Sequence, residues 1–147
     1  MPDISVRLQG TAELRRALNR LRGAERRQAQ QDGLEAGARV VETYVKTSMA
    51  EGGKSGQLYS RGGKSHRASA PGEAPAVDYS NLYNSIQIEE VTPEQAIVSA
   101  SAEYAEHLEF GTSRMAARPY LRPAVDEHEG EIVAAIEDAV RRFVQSI

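Results

Sequence analysis

Ile86-Gln87-Ile88-Glu89-Glu90-Val91-Thr92-Pro93-Glu94-Gln95-Ala96-Ile97-Val98-Ser99-Ala100-Ser101 is the stretch whose reading decides the fold. Ile86 and Ile88 alternate with Gln87 and Glu89, the period of a half-buried strand, which extends toward Val91. Thr92-Pro93-Glu94 is a turn, with proline suited to its first central position. Ala96 to Ser101 is the returning strand, centred on Ile97 and Val98. The pair reads as an antiparallel hairpin.

Helical signals lie on both sides of it. Asn81 to Ser85 is long enough for one helical turn. Glu103 to Phe110 reads as a short helix ended by Gly111. Arg118-Pro119-Tyr120-Leu121-Arg122 reads as extended, because residues before proline avoid the helical region. Pro123 suits the first turn of a last helix, where its missing N–H is not needed. That helix runs to about Val144, with Val125, His128, Ile132, Ile136 (or Ala135), Ala139 and Phe143 as its apolar stripe. Asp126, Glu127, Glu129 and Glu131 near its start and Arg141 and Arg142 near its end complement the helix dipole.

Near the N-terminus Ile4, Val6 and Leu8 alternate as in a short strand, which Gly10 ends. Thr11 is placed to cap a helix from Ala12, whose Leu14, Leu18 and Leu21 share a face and which Gly23 closes in the left-handed conformation. A longer helix follows from about Ala24 to Met49, with Leu34, Ala38, Val41 and Val45 at spacings of four, three and four. Gly33 and Gly37 on its neighbouring stripe each cost about 1 kcal/mol in a helix interior. They mark either close approach of another element or a weak helix start.

Residues 50–79 are different. Gly52, Gly53, Gly56, Gly62, Gly63 and Gly72 mix with serines, Pro71 and Pro75. Lys54, Arg61, Lys64 and Arg67 make its first part basic, and only Leu58, Tyr59, Val77 and Tyr79 are suited to anchor a core. It reads as a mobile arm or extended hairpin. Residues 1–147 therefore form a single α+β domain: a small, mostly antiparallel sheet packed against helices, a long C-terminal helix, and a flexible Gly/Ser-rich basic arm.

Composition narrows the function classes. With 40% hydrophobic residues in 147, the chain supports one ordinary core. Its mean hydropathy is -0.51, and no apolar run reaches the roughly 20 residues that span a bilayer. Met1-Pro2-Asp3-Ile4-Ser5 lacks the basic-then-apolar pattern of a signal peptide. With no cysteine, disulfides and thiol chemistry are excluded. The net charge of -3 is unevenly spread: residues 1–67 carry 13 basic and 7 acidic side chains, and residues 68–147 carry 5 and 14. Such polarity suits complementary faces between copies or stacked layers, or merely solvated helix faces.

Chemical motifs are sparse. Gly52-Gly53-Lys54-Ser55 and Gly62-Gly63-Lys64-Ser65 resemble part of a phosphate-binding loop, but the required preceding glycine is replaced by Ser48 and Leu58. His66, His107 and His128 form no metal-binding pair; His107 with Glu103 and Glu106 reads as a solvated helix face, and His128 as a packed residue. No Gly-x-Ser-x-Gly elbow is present. Neither an enzyme nor a cofactor is expected. The basic part of the arm, residues 54–67, is able to neutralise phosphates without sequence readout, though Tyr59 is the only Phe, Tyr or Trp in it, too few for a stacking platform.

The run Tyr104-Ala105-Glu106-His107-Leu108-Glu109-Phe110-Gly111-Thr112-Ser113-Arg114-Met115-Ala116-Ala117-Arg118-Pro119-Tyr120-Leu121-Arg122-Pro123-Ala124 carries a resemblance. With Ala70-Pro71-Gly72-Glu73-Ala74-Pro75 and Ser80-Asn81-Leu82-Tyr83-Asn84-Ser85-Ile86 upstream, it is similar to the phage tail-component family typified by the tenth gene product of lambda-like phages with long flexible tails. Ser80-Asn81 departs from that family's commoner Thr-Gly, and the likeness is weakest at residues 50–69. The resemblance implies a virion structural protein of the neck or tail, assembled in the host cytoplasm. In this role it is a tail-terminator, tail-completion or neck subunit that forms a ring with itself, usually a hexamer, between the tail-tube protein and the head-closure or connector protein. Neither a cofactor nor a membrane is implied.

For that role the interface candidates are Glu109, Phe110, Gly111, Arg114, Arg118, Tyr120 and Arg122, the arginines being suited to meet carboxylates such as Glu106 or Glu109 within a subunit or on the next. Lys54, Arg61, Lys64 and Arg67 are the candidate arm contacts, to an adjacent ring or to DNA in the channel. Two other readings make different demands. A DNA-binding accessory protein requires salt-sensitive binding by the free chain, and a morphogenetic hydrolase requires a concave site with perturbed titratable groups.

Overall fold

The structure is a computed structural model and describes residues 4–5, 12–50, 54–76 and 81–147. Its elements run β1 (Ile4–Ser5), α1 (Ala12–Asn19), α2 (Gly23–Ala50), β2 (Leu58–Arg61), β3 (Lys64–Arg67), α3 (Asn81–Ser85), β4 (Ile86–Val91), β5 (Ala96–Ala100), α4 (Ala105–Phe110), α5 (Leu121–Asp126) and α6 (Glu129–Ser146). Strands β1, β5 and β4 form an antiparallel sheet in that order, and β2 pairs with β3 separately. The fold is α+β. The expected continuation of β1 to Leu8 and the Thr11 cap lie outside the described residues.

The central hairpin carries a bulge that explains its sequence. Ile86 faces Ala100 and Ile88 faces Val98, but the register then shifts so that Glu90 faces Ile97 and Val91 faces Ala96. Strict alternation from Ile86 and Ile88 would turn Glu90 inward. The extra residue switches faces, so Val91 joins the inner side while Glu89 and Glu90 stay exposed. Thr92 closes the turn, its N–H donating to Gln95 O at 2.8 Å and its hydroxyl accepting from Gln95 N at 3.1 Å.

The inner face of the sheet packs on α2, which is in turn packed along α6. Val41, Val45 and Met49 of α2 join Ile86, Val98, Leu121, Ile132 and Ile136 in one core. Glycine makes the second contact possible. A Cβ on Gly37 would lie 2.8 Å from Ile136 Cδ1, and one on Gly33 would lie 3.1 Å from Ile136 Cγ2. Of the two readings open for these glycines, close approach is the one observed. Gly23 has φ +54 and turns the chain from α1 into α2.

The C-terminal region departs from expectation. The stretch expected to be extended through Arg122 is helical from Leu121, and the single last helix is two, α5 and α6. The break falls at His128, whose φ of -121° leaves the helix. There its imidazole stacks on the Tyr44 ring, centroids 3.4 Å apart and planes 7° from parallel. Tyr44 also donates its hydroxyl proton to Glu131, which holds the phenol above its ordinary pKa.

Candidate functional site

The segment from Tyr104 to Ala124 folds back on itself around one carboxylate. Glu109 lies on the inner side of α4 and is 5% exposed. Its Oε2 accepts the backbone N–H groups of Tyr120 at 2.8 Å and Leu121 at 3.0 Å, and its Oε1 accepts that of Arg122 at 2.9 Å. The first N–H groups of a helix have no intrahelical acceptor. Glu109 supplies acceptors for three donors at the start of α5, and the next residue, Pro123, has none to satisfy. This is why α5 begins at Leu121, overriding the bias of Arg122, as the residue before proline, away from helical geometry.

Gly111 makes the reversal possible. Its φ of 76° and ψ of 177° suit glycine alone, and a Cβ there would meet Ala117 N at 2.8 Å and Met115 O at 2.9 Å. Its N–H donates to His107 O at 2.8 Å, Thr112 N–H donates to Met115 O at 2.8 Å, and Arg118 N–H returns to Leu108 O at 2.6 Å. Tyr120 is buried, and its hydroxyl donates to Ala105 O at 2.9 Å. Burial, with Glu109 and Tyr104 nearby, pushes its pKa upward.

The seven candidate interface residues therefore divide. Glu109, Gly111 and Tyr120 serve the subunit's own fold. Phe110 is 63% exposed, and Arg114 and Arg122 are at the surface. The arginines do not reach Glu109: three backbone donors already occupy it. The Arg122 side chain turns instead to Asp126 at 3.5 Å. Arg118 Nε is buried without a hydrogen-bond partner among the described residues.

The basic stretch contains a hairpin. Leu58 faces Arg67 and Arg61 faces Lys64 across a Gly62-Gly63 turn with both glycines at positive φ. Polar bonds tie its root to the domain. Glu73 accepts the Ser55 hydroxyl proton, the Ser55 N–H at 3.0 Å and the Ala70 N–H at 2.9 Å. These bonds, the hydroxyl's first, hold its carboxyl down at about pKa 2. Lys54 Nζ donates to Ser48 O in the last turn of α2 and to Ala74 O, both at 2.8 Å. Burial lowers its pKa, against the opposing pull of Glu73. Arg67 donates to Gly56 O at 3.0 Å, and Gly72 N–H donates to Ala117 O at 3.0 Å, linking the root to the Gly111 loop. Two of the four arm cations thus bond the chain itself; the side chains of Arg61 and Lys64 lie outside the described residues.

Apolar anchors in the sequence do not reveal this root, because its partners are mostly backbone atoms. Among the described residues, no group of three His, Asp or Glu side chains is placed to hold a metal ion, and no helix is long and apolar enough to cross a membrane. Compared with protein-family models, curated proteins and solved structures, the chain matches none.

Proposed function

We propose that this chain is a structural subunit of a tailed-phage virion. It would form a ring with itself, six copies being the expectation, as a tail terminator, tail-completion or neck component between the tail-tube protein and the head connector. The observation that carries the reading is the ordered run from Glu109-Phe110-Gly111-Thr112 to Arg118-Pro119-Tyr120-Leu121-Arg122-Pro123, which resembles the tail-component signature. Its residues depend on one another: Glu109 serves the amides of Tyr120, Leu121 and Arg122, and Gly111 permits the reversal that brings them together. The exposed side chains on this scaffold, Phe110, Arg114 and Arg122, are those a neighbouring subunit would meet. In this role the protein performs no catalysis, takes no cofactor and resides at the virion neck.

The test is deletion of the gene from the phage. Filled heads and finished tails should accumulate unjoined, and imaging of wild-type particles should place the subunit at the junction. Complete infectious particles from the deletion would remove the reading.

The alternative, a DNA-binding accessory protein using the basic arm, is weaker. Lys54 and Arg67 bond carbonyls of their own chain, which diverts them from phosphates. Retention of the free protein on duplex DNA, falling steeply with salt, would favour it.

A further inference from the structure

Helices α2 and α6 run antiparallel. Gly33 lies beside Val140, Gly37 beside Ile136, and Tyr44 beside His128. The start of α2 and the end of α6 therefore share one end of the molecule, with α1 packed there. Six arginines fall between Arg15 and Arg27, and Arg141 and Arg142 join them from α6. A groove of about 320 Å³ opens between α1 and α6, floored by Leu14, Ala17, Val140 and Val144 and rimmed by Arg20 and Arg141. Arg142 is paired with Asp138 at 3.2 Å, but neither Arg20 nor Arg141 has an ion-pair partner among the described residues. Glu137, which also lines the groove, is engaged within the chain.

The other end of α6 has the opposite sign. Its 18 residues place that end about 27 Å away. Asp126, Glu127, Glu129 and Glu131 are all exposed there. Asp126 is paired with Arg122 and Glu131 is held by Tyr44, whereas Glu127 and Glu129 have no ion-pair partner among the described residues.

We propose that copies of this chain dock head to tail, the arginine-rimmed groove between α1 and α6 receiving the carboxylate corner around Glu127 and Glu129 of the next copy. This deepens, and rests on, the ring reading. A closed ring needs two unlike, mutually complementary surfaces on each subunit. A two-fold pairing of either end with itself would oppose like charges. The occupant is a second copy rather than a nucleic acid because exposed carboxylates complementary to these arginines are carried by the same chain.

The experiment is a charge swap on the full chain, with folding checked by circular dichroism. One variant carries Arg20→Glu with Arg141→Glu, and another carries Glu127→Lys with Glu129→Lys. Analytical ultracentrifugation at low salt should show wild-type association that weakens as salt rises. Each variant alone should associate roughly tenfold or more weakly, and an equimolar mixture should associate again, acidic ends meeting basic ones. Three outcomes overturn the proposal: a wild type that stays monomeric at the highest soluble concentration, a mixture that fails to recover, or self-association indifferent to both swaps. Duplex DNA binding through Arg20 and Arg141 by a monomeric wild type does so too, and points to nucleic acid. Each of these leaves the ring reading to the deletion phenotype, which is scored in particles.

Discussion

At the scale of single residues, Glu109 and Gly111 are the positions with least freedom. Removing a partner leaves buried donors unsatisfied, at about 1–3 kcal/mol for each group. Glu109→Ala strands the amides of Tyr120, Leu121 and Arg122, so we expect a loss of about 3 kcal/mol or more in urea denaturation. Little or no change would show that water reaches those amides. Gly111→Ala combines a strained φ with a clash against backbone, for a cost of about 1–3 kcal/mol by the same measurement. Glu73 brings a pH dependence. Its folded pKa of about 2 lies below its ordinary 4.5, so the hairpin root's added stability is present above about pH 4.5 and is lost as pH falls toward 2. Amide exchange at Ser55 and Ala70 should accelerate, relative to the core, across that window in the wild type and not in Glu73→Gln.

At the scale of elements, α2 against α6 is governed by two glycines that differ. Replacing a helical glycine by alanine gains about 1 kcal/mol of helix propensity, while overpacking costs about 1–3 kcal/mol. At Gly37 the new methyl would sit 2.8 and 2.9 Å from two Ile136 carbons and 3.3 Å from Ile132. Steric cost wins there, and Gly37→Ala should lower the melting temperature. At Gly33 the nearest atoms are at 3.1 and 3.2 Å, so a small adjustment suffices and Gly33→Ala should be close to neutral. Equal melting temperatures for the two variants would contradict this account. The bulge in β4 is a second element-scale device, since it keeps Glu89 and Glu90 outside on the sheet's edge strand, where charge discourages unplanned strand pairing.

At the scale of the whole molecule, the hairpin and the core are separable. Among the described residues between 54 and 73, none belongs to the core cluster. Excising residues 58–67 and bridging the gap with glycines should therefore leave helical content and the melting temperature nearly unchanged, as read by circular dichroism. In the phage it should impair head–tail joining if the hairpin serves a neighbouring ring. Collapse of the folded domain would show instead that the hairpin is a structural part of it. The polarity of charge also belongs to this scale, because antiparallel packing of α2 on α6 gathers Arg20 and Arg141 at one end of the molecule.

Local pattern alone determined much of the architecture. The period-two alternation around Ile86 and Ile88, the spacing of Leu34 to Val45, and the turn at Thr92-Pro93 are short-range signals, and burying one face of each element forces the α+β packing. Tertiary structure decided the rest. The sequence shows Glu109 but not the three amides it serves, because those donors are backbone atoms common to every residue type. It shows an unbroken apolar stripe after Pro123 but not the ring of Tyr44 that draws His128 out of the helix. The polar root at Lys54 and Glu73 was equally hidden. Periodicity records which side of an element faces the core, whereas these contacts join residues 11 to 13 apart at Glu109 and 18 and 20 apart at the hairpin root, and exist only once the chain has folded.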